Sequence, residues 1–230
     1  MIDGRDKDLI IRLFNVHKYY GSKKALIDIS LDIPANDLLF ILGPSGAGKT
    51  TLLKLLYLGE CLSEGQILVD GINLARIPRR KVPFLRRKYG VIFQDYKLIP
   101  TKSVFENVAL VLEAAGEKAG FIQKKVNSVL KTVGMEQRRF SFPPSLSGGE
   151  QQRVAFARAF VGEPKIILAD EPTGSLDAES AEIILQLFQS FYQRGATIII
   201  TTHDQGLVHK IGGRALYLKQ GRLTPETDPA

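Results

Sequence analysis

Glycine, lysine and threonine are spaced in Gly43-Pro44-Ser45-Gly46-Ala47-Gly48-Lys49-Thr50 as a phosphate-binding P-loop requires. The Gly-x4-Gly-Lys-Thr pattern lets the backbone fold so that successive N–H groups converge on an anion. Gly46 and Gly48 supply that freedom because they lack a Cβ. The Lys49 ammonium would reach the outer phosphates of a nucleotide, and the Thr50 hydroxyl would hold Mg²⁺ beside them. The pattern carries this meaning only between a strand and a helix. Leu38-Leu39-Phe40-Ile41-Leu42 is a short apolar run in front of it, and Thr51 to Leu58 reads as a helix behind it. The helix start brings Thr51 and a positive dipole end to the same place. An ordinary glycine-rich turn would need neither flank.

Lys165-Ile166-Ile167-Leu168-Ala169-Asp170-Glu171 reads as a buried strand ending in two carboxylates. Asp170 is placed to hold the water shell of Mg²⁺. Glu171, one residue further and on an exposed tip, is placed to polarise a water. Gln94 closes Gly90-Val91-Ile92-Phe93, and His203 follows Ala196-Thr197-Ile198-Ile199-Ile200-Thr201. Both are polar groups at the ends of buried strands, where an open α/β sheet collects its site. A Gln that opens a surface loop and a structural His are the competing explanations. Leu146-Ser147-Gly148-Gly149-Glu150 sends a different signal, because Ser147 and Glu150 have capping-box spacing and two glycines admit a close ligand. It is a second helix start shaped for an anion, although one nucleotide needs only one P-loop. Tyr19 and Tyr20, ahead of Gly21-Ser22, are either core aromatics or a flat surface for a base.

These groups need strands to end at one edge. Leu9 to Phe14 and Ala25 to Ile33 read as strands around the Gly21-Ser22 turn, and Gly65 to Gly71 as a short strand ended by another. From Val104 to Met135 the pattern turns helical, with Ile122, Val126, Val129, Leu130 and Val133 on one face. Pro172-Thr173-Gly174-Ser175-Leu176-Asp177 turns into a further helix striped by Ile184, Leu187, Phe188 and Phe191. The expected fold is α/β, a P-loop (RecA-like) core with an N-terminal antiparallel β portion and an inserted α-helical lobe. It forms one domain over 1–230, with the core at about 1–95 and 162–222 and the lobe at about 96–161. A frayed polar tail completes it at 223–230.

Composition narrows the class. The 230 residues are 44% hydrophobic and 24% charged, as in globular proteins that dissolve in water. No apolar run approaches the ~18–20 residues that span a bilayer. The opening, Met1 to Asp8, is charged and lacks a signal-peptide core, so a cytoplasmic location is expected. The single cysteine, Cys61, excludes an internal disulfide and a cysteine-rich metal site. The net charge of +7 is matched by seven cations in one stretch, Arg76, Arg79, Arg80, Lys81, Arg86, Arg87 and Lys88, with no acid among them. Such a stretch suits nucleic acid, an anionic membrane surface or an acidic partner, or is simply a solvated face.

The set Gly43–Thr50, Gln94, Leu146-Ser147-Gly148-Gly149-Glu150, Asp170-Glu171, Ser175-Leu176-Asp177 and His203 resembles the motif series of the ABC ATPases, in order and over nearly the whole chain. The resemblance implies hydrolysis of ATP with Mg²⁺ by a head-to-tail homodimer. Each ATP would lie between the P-loop of one copy and Ser147, Gly148 and Gly149 of the other, with Asp177 at the interface. It implies Tyr20 as the adenine-stacking aromatic, Glu171 as general base, His203 on the γ-phosphate, and Gln94 as the link from Mg²⁺ to a membrane partner. Within the class, Ala169 to Gly174 resembles the group of lipoprotein-release, efflux and cell-division ATPases. Val82 to Asp95, with Pro-x-Leu-Arg-Arg and an Asp after the Gln, is most similar to the FtsE-type cell-division ATPases. That implies an FtsX-like integral membrane partner, control of cell-wall hydrolysis, a peripheral position on the inner face of the cell membrane and no nucleic acid. The motor of a lipoprotein-release or efflux transporter is the alternative. Ser175 departs from the Asn usual in this group, and its shorter reach alters the interface contact there.

Overall fold

The computed structural model describes residues 9–174 and 176–225. The charged opening up to Asp8, the Ser175 contact and the end of the tail from 226 therefore lie outside the described residues, whereas 223–225, expected to fray, form a strand paired antiparallel with 216–218. Strands β1 (Leu9–Tyr20) and β2 (Lys23–Pro34) form a hairpin, and β3 (Leu38–Leu42) runs through the glycine loop into α1 (Lys49–Leu56). β4 (Glu64–Val69), β5 (Ile72–Asn73), α2 (Val82–Arg86) and β6 (Tyr89–Ile92) follow. The helical block comprises α3 (Val104–Ala115), α4 (Ala119–Thr132) and α5 (Gly148–Phe160). β7 (Ile166–Asp170), α6 (Ala178–Gln193), β8 (Thr197–Thr202), α7 (Gly206–Ile211), β9 (Arg214–Lys219) and β10 (Arg222–Pro225) complete the order.

Two sheets form, one antiparallel in the order β2-β1-β4-β5 and one in the order β10-β9-β3-β8-β7-β6. In the second sheet only β10 is antiparallel to its neighbour. β3, β7 and β8 are buried along their whole length, which is why apolar residues follow one another within them rather than alternating with polar ones. The parallel register pairs Leu42 with Thr202, Asp170 with Thr201 and Ile92 with Ala169. The residues that follow β3, β6, β7 and β8 therefore emerge at one edge.

The helices start where the sequence caps them. Ser103–Glu106 and Ser147–Glu150 form complete capping boxes, and the Asp177 side chain caps α6. The helical stretch from Val104 breaks in two because Gly116 takes φ +82° and closes α3. Ile122, Val126 and Leu130 are the buried face of α4, as their spacing predicts. Phe156 stacks on Phe160 with ring centres 4.6 Å apart and meets Phe188 edge-on at 4.6 Å, so α5 and α6 lock together over the sheet. A second core joins β1, β2 and β4 to the opposite side of β3 and to α1.

Candidate active site

A cleft of about 1070 Å³ opens at the shared strand edge. Its walls bring together Tyr20, Pro44, Ser45, Gly46, Ala47, Gly48, Lys49, Thr50, Thr51, Gln94, Asp170, Glu171 and His203. Gly43 contributes its carbonyl from just behind. The loop needs glycine for space as well as for conformation. A Cβ on Gly43 would lie 2.1 Å from the Leu218 carbonyl oxygen, and one on Gly48 2.6 Å from the Ala25 carbonyl oxygen. Both backbones are left-handed, with φ +153° and +110°. Gly48 is the N-cap of α1, so the N–H groups of the first helical turn face the cleft without a side-chain cap.

Lys49 is buried, and its Nζ donates to the Gly43 carbonyl at 2.6 Å and to the Pro44 carbonyl at 3.3 Å. The same ammonium lies 3.1 Å from Glu171 Oε1. The other carboxylate oxygen of Glu171 is 3.0 Å from His203 Nδ1 and accepts from the His203 backbone N–H at 3.3 Å. These contacts draw Glu171 inward. Its side chain is 12% exposed, against 65% for His203, so the exposed tip expected for Glu171 is instead a half-buried carboxylate held between the Lys49 ammonium and the His203 imidazole. Glu171 also has φ +45°, a left-handed backbone that costs a non-glycine residue of order 1 kcal/mol or more. Asp170 is buried and accepts from the Thr201 hydroxyl at 2.7 Å, which fixes its orientation toward the cleft. The hydroxyl of Thr50, the amide oxygen of Gln94 and the carboxylate of Asp170 line the same wall. All three are hard oxygen donors, the set that fits Mg²⁺.

Tyr20 is not a core aromatic. It ends β1 at the rim of the cleft, 41% exposed, with its hydroxyl hydrogen-bonded to Glu60 and the Lys18 ammonium 4.8 Å from the ring centre. Burial and the hydrogen bond to Glu60 push its phenol up, while the Tyr20 hydroxyl and Lys18 hold the Glu60 carboxyl below its usual range.

Ser147, Gly148, Gly149 and Asp177 are not among the lining of that cleft. They meet one another instead. Gly149 sits against α6, where a Cβ would come within 2.3 Å of Ser180 Oγ. Asp177 accepts from the Ser180 N–H at 2.8 Å and the Ser180 hydroxyl at 2.9 Å, and those bonds hold its carboxyl low. The second anion-shaped helix start is thus a separate surface, with Asp177 close behind it.

Two residues of α5 that the sequence reading passed over join these parts. Gln152 is buried and donates to the Pro172 carbonyl at 2.7 Å, one residue beyond Glu171. Arg158 donates to the carbonyls of Tyr96 and Lys97 at 2.6 Å each, just beyond Gln94. Tyr96 and Lys97 both have positive φ, +58° and +48°, so Arg158 secures a strained turn. Desolvation by burial lowers the Arg158 guanidinium pKa. No local pattern announces either bond, because each depends on a partner more than eighteen positions away.

A P-loop at the head of α1, two carboxylates ending β7 and a histidine after β8 define a nucleoside-triphosphate-hydrolysing class of protein. The ABC transporter family model matches residues 26–174. The cell division ATP-binding protein FtsE of Escherichia coli (strain K12) is 43% identical over 215 residues, covering 93% of this chain and 97% of that protein. FtsE of Streptococcus pneumoniae (serotype 2, strain D39) is 42% identical over 208 residues, 90% of each chain. A dimeric structure of the ATP-binding cassette MJ0796 in a post-hydrolysis state, bound to ADP and Pi, superposes with a TM-score of 0.86. It shares 34% identity and covers 95% of this chain and all of the other. The chain belongs to the ABC transporter family, as its ATPase component. Among the described residues no helix is long and apolar enough to cross a membrane.

Proposed function

We propose that the chain is the ATP-hydrolysing cytoplasmic subunit of an FtsEX-like membrane complex. The observation that carries this reading is the division of labour within one chain. The P-loop, Asp170, Glu171 and His203 share a cleft, while Ser147, Gly148, Gly149 and Asp177 form a second anion-shaped surface outside it. Each surface is half of a site, and a head-to-tail homodimer makes two whole ones. The relatives that carry the name of a cell-division ATP-binding protein support the biological role.

ATP lies with its phosphates on the N–H groups of Gly46 to Thr51 and its base against Tyr20. Lys49 leaves Glu171 for the outer phosphates, so the carboxylate loses its counter-charge as the substrate arrives. Glu171, aimed by the strained backbone at its own position and by His203, then takes a proton from the attacking water, and His203 stays on the γ-phosphate. Thr50, Gln94 and Asp170 would hold Mg²⁺, which would supply charge neutralisation for the triphosphate. Ser147, Gly148 and Gly149 of the second copy complete the γ-phosphate cage with helix N–H groups, and Asp177 faces the dimer partner. Most of the rate gain comes from positioning and fixed charge. Closure of the dimer moves the lobe of α3 and α4, within the single domain, and the loop after Gln94. Those surfaces carry the motion to an FtsX-like integral membrane protein on the inner face of the membrane, whose outer side regulates cell-wall hydrolysis.

Capture from detergent-solubilised membranes with Glu171→Gln and Mg²⁺-ATP tests this assignment. Recovery of a small FtsX-like protein with wall-hydrolase regulators is expected. Recovery of a lipoprotein-release or efflux permease would overturn the division role and leave every site role standing.

A further inference from the structure

The basic stretch divides into two groups once its contacts are known. Arg86 donates to the carbonyls of Tyr57 and Leu58 at 3.2 and 2.7 Å, just past the end of α1. Arg87 donates to the Ala114 carbonyl at 2.5 Å, near the end of α3, and Lys88 pairs with Asp70 at 2.5 Å. These three cations are structural fastenings rather than a solvated face. Arg76, Arg79, Arg80 and Lys81 are exposed and have no hydrogen-bond or ion-pair partner among the described residues. Beside them Phe84 is 62% exposed, and between Arg76 and Lys88 it is the one exposed large apolar side chain among the described residues. The Arg87 guanidinium lies 4.9 Å from its ring centre. Pro78 and Pro83 limit the backbone on either side of the three-residue turn Arg79–Lys81, and the three fastenings hold the whole segment to the core. The charges and the ring are therefore presented together by a stiff, anchored element.

We infer that this surface rests on the anionic lipid headgroups of the membrane. The inference rests on the reading of the chain as the cytoplasmic subunit of a membrane complex. Four unneutralised cations within six positions match a lipid surface of opposite charge. An aromatic ring flanked by cations adds the second signal that reversible interfacial attachment requires, since Phe84 can enter the headgroup layer while the guanidinium groups stay at phosphate level. Single-stranded nucleic acid is a poorer match. Its readers stack successive bases on several aromatic faces along a groove, and this segment offers one ring with Arg87 already against it. The surface supplements partner docking by setting the height and tilt of the subunit against the bilayer.

Vesicle co-sedimentation of the purified full chain tests the inference, using phosphatidylcholine vesicles with and without about one-third phosphatidylglycerol. Wild type is expected to sediment with the anionic vesicles only, and to be released as salt is raised toward ~0.5 M, where the Debye length falls to about 4–5 Å. Each basic residue near such a surface contributes about fivefold to partitioning, so R79Q/R80Q/K81Q should weaken it about 10²-fold. F84A should also weaken binding to the anionic vesicles at low salt, by a smaller factor than the triple variant. Neither variant touches the cleft, so both should keep wild-type ATP hydrolysis, which reports that they are folded. Failure of wild type to sediment, equal sedimentation with neutral vesicles, or unchanged binding by the triple variant would each overturn the inference. So would binding to a DNA duplex or a single strand that is stronger than vesicle binding and is lost in the same variant. If membrane capture finds no integral partner while anionic vesicles still bind, the complex reading fails and the lipid contact stands.

Discussion

Replacing Glu171 by Gln should do more than slow the reaction, because this carboxylate is also the counter-ion of a buried lysine. At 3.1 Å from Lys49, with an effective dielectric of about 20, the gross attraction is about 5 kcal/mol. Desolvation of both groups offsets much of it, and Lys49 keeps its bonds to the Gly43 and Pro44 carbonyls while Gln still offers an acceptor. A net loss of about 2 kcal/mol is the reasoned figure for the free protein. At this chain length that lowers Tm by ~4–8 °C. The γ-phosphate then replaces the carboxylate as the partner of Lys49, so the nucleotide-bound states of wild type and variant should be close in stability. By thermodynamic closure the variant binds a non-hydrolysable ATP analogue ~30-fold more tightly, since each 1.4 kcal/mol is tenfold. Hydrolysis should fall by at least ~10²-fold. Thermal unfolding with and without the analogue, together with calorimetric titration, measures all three quantities. A substrate-free Tm within about 1 °C of wild type, with equal analogue affinity, would refute the counter-ion argument even if hydrolysis were abolished.

Gln152→Ala should leave the Pro172 carbonyl without its partner and loosen the segment that carries Glu171. The expected signature is a kcat reduced ~10-fold with little change in the KM for ATP, measured by steady-state kinetics; a change confined to KM would contradict it. Tyr20→Ala should raise the KM for ATP ~10-fold by removing the stacking face, whereas Tyr20→Phe, which loses only the bond to Glu60, should stay within about threefold. Acid should destabilise the fold through carboxyls held low by Tyr20 for Glu60, Lys88 for Asp70, Ser103 for Glu106 and Ser180 for Asp177. Their folded pKa values lie below their unfolded ones. The stabilisation is therefore complete above the ordinary carboxylate range near pH ~4 and is lost as pH falls through the depressed folded values. Asp70→Asn should consequently lower Tm at pH 7 and differ less from wild type below pH ~4, as unfolding curves across pH would reveal.

The cleft was legible because its parts are local. A glycine loop between an apolar strand and a helix, and carboxylates at the end of an unbroken apolar run, each carry their meaning within about ten residues. Parallel pairing then brings those ends together without further instruction. The capping box at Ser147 marks a helix start for the same reason. What escaped reading depends on distant partners. Glu171 looks exposed as the residue after a strand, and only the approach of Lys49 and His203 turns it inward. Arg86, Arg87 and Lys88 look like the rest of a charge run until the carbonyls of Tyr57, Leu58 and Ala114 and the carboxylate of Asp70 claim them. The β9–β10 hairpin, with mixed and weak alternation, gave no periodic signal at all. Tyr20 lay between two readings because a tyrosine at a turn can face either way. Its hydroxyl bond to Glu60, forty positions on, decides the matter.

The separation of Ser147, Gly148 and Gly149 from the cleft of their own chain has a genetic consequence. In the proposed dimer a site is inherited half from each polypeptide, so a chain with a defective Lys49 and a chain with a defective Ser147 do not fail in the same way when they meet. One site of such a mixed pair receives both lesions, and the other receives none. Mixing the two dead variants in equal amounts should restore ~one quarter of the intact sites, through random pairing in a two-fold symmetric assembly. Two damage alleles in one cell would thus complement, and a single allele that still dimerises would draw healthy copies into mixed dimers that hold one intact site and one damaged one.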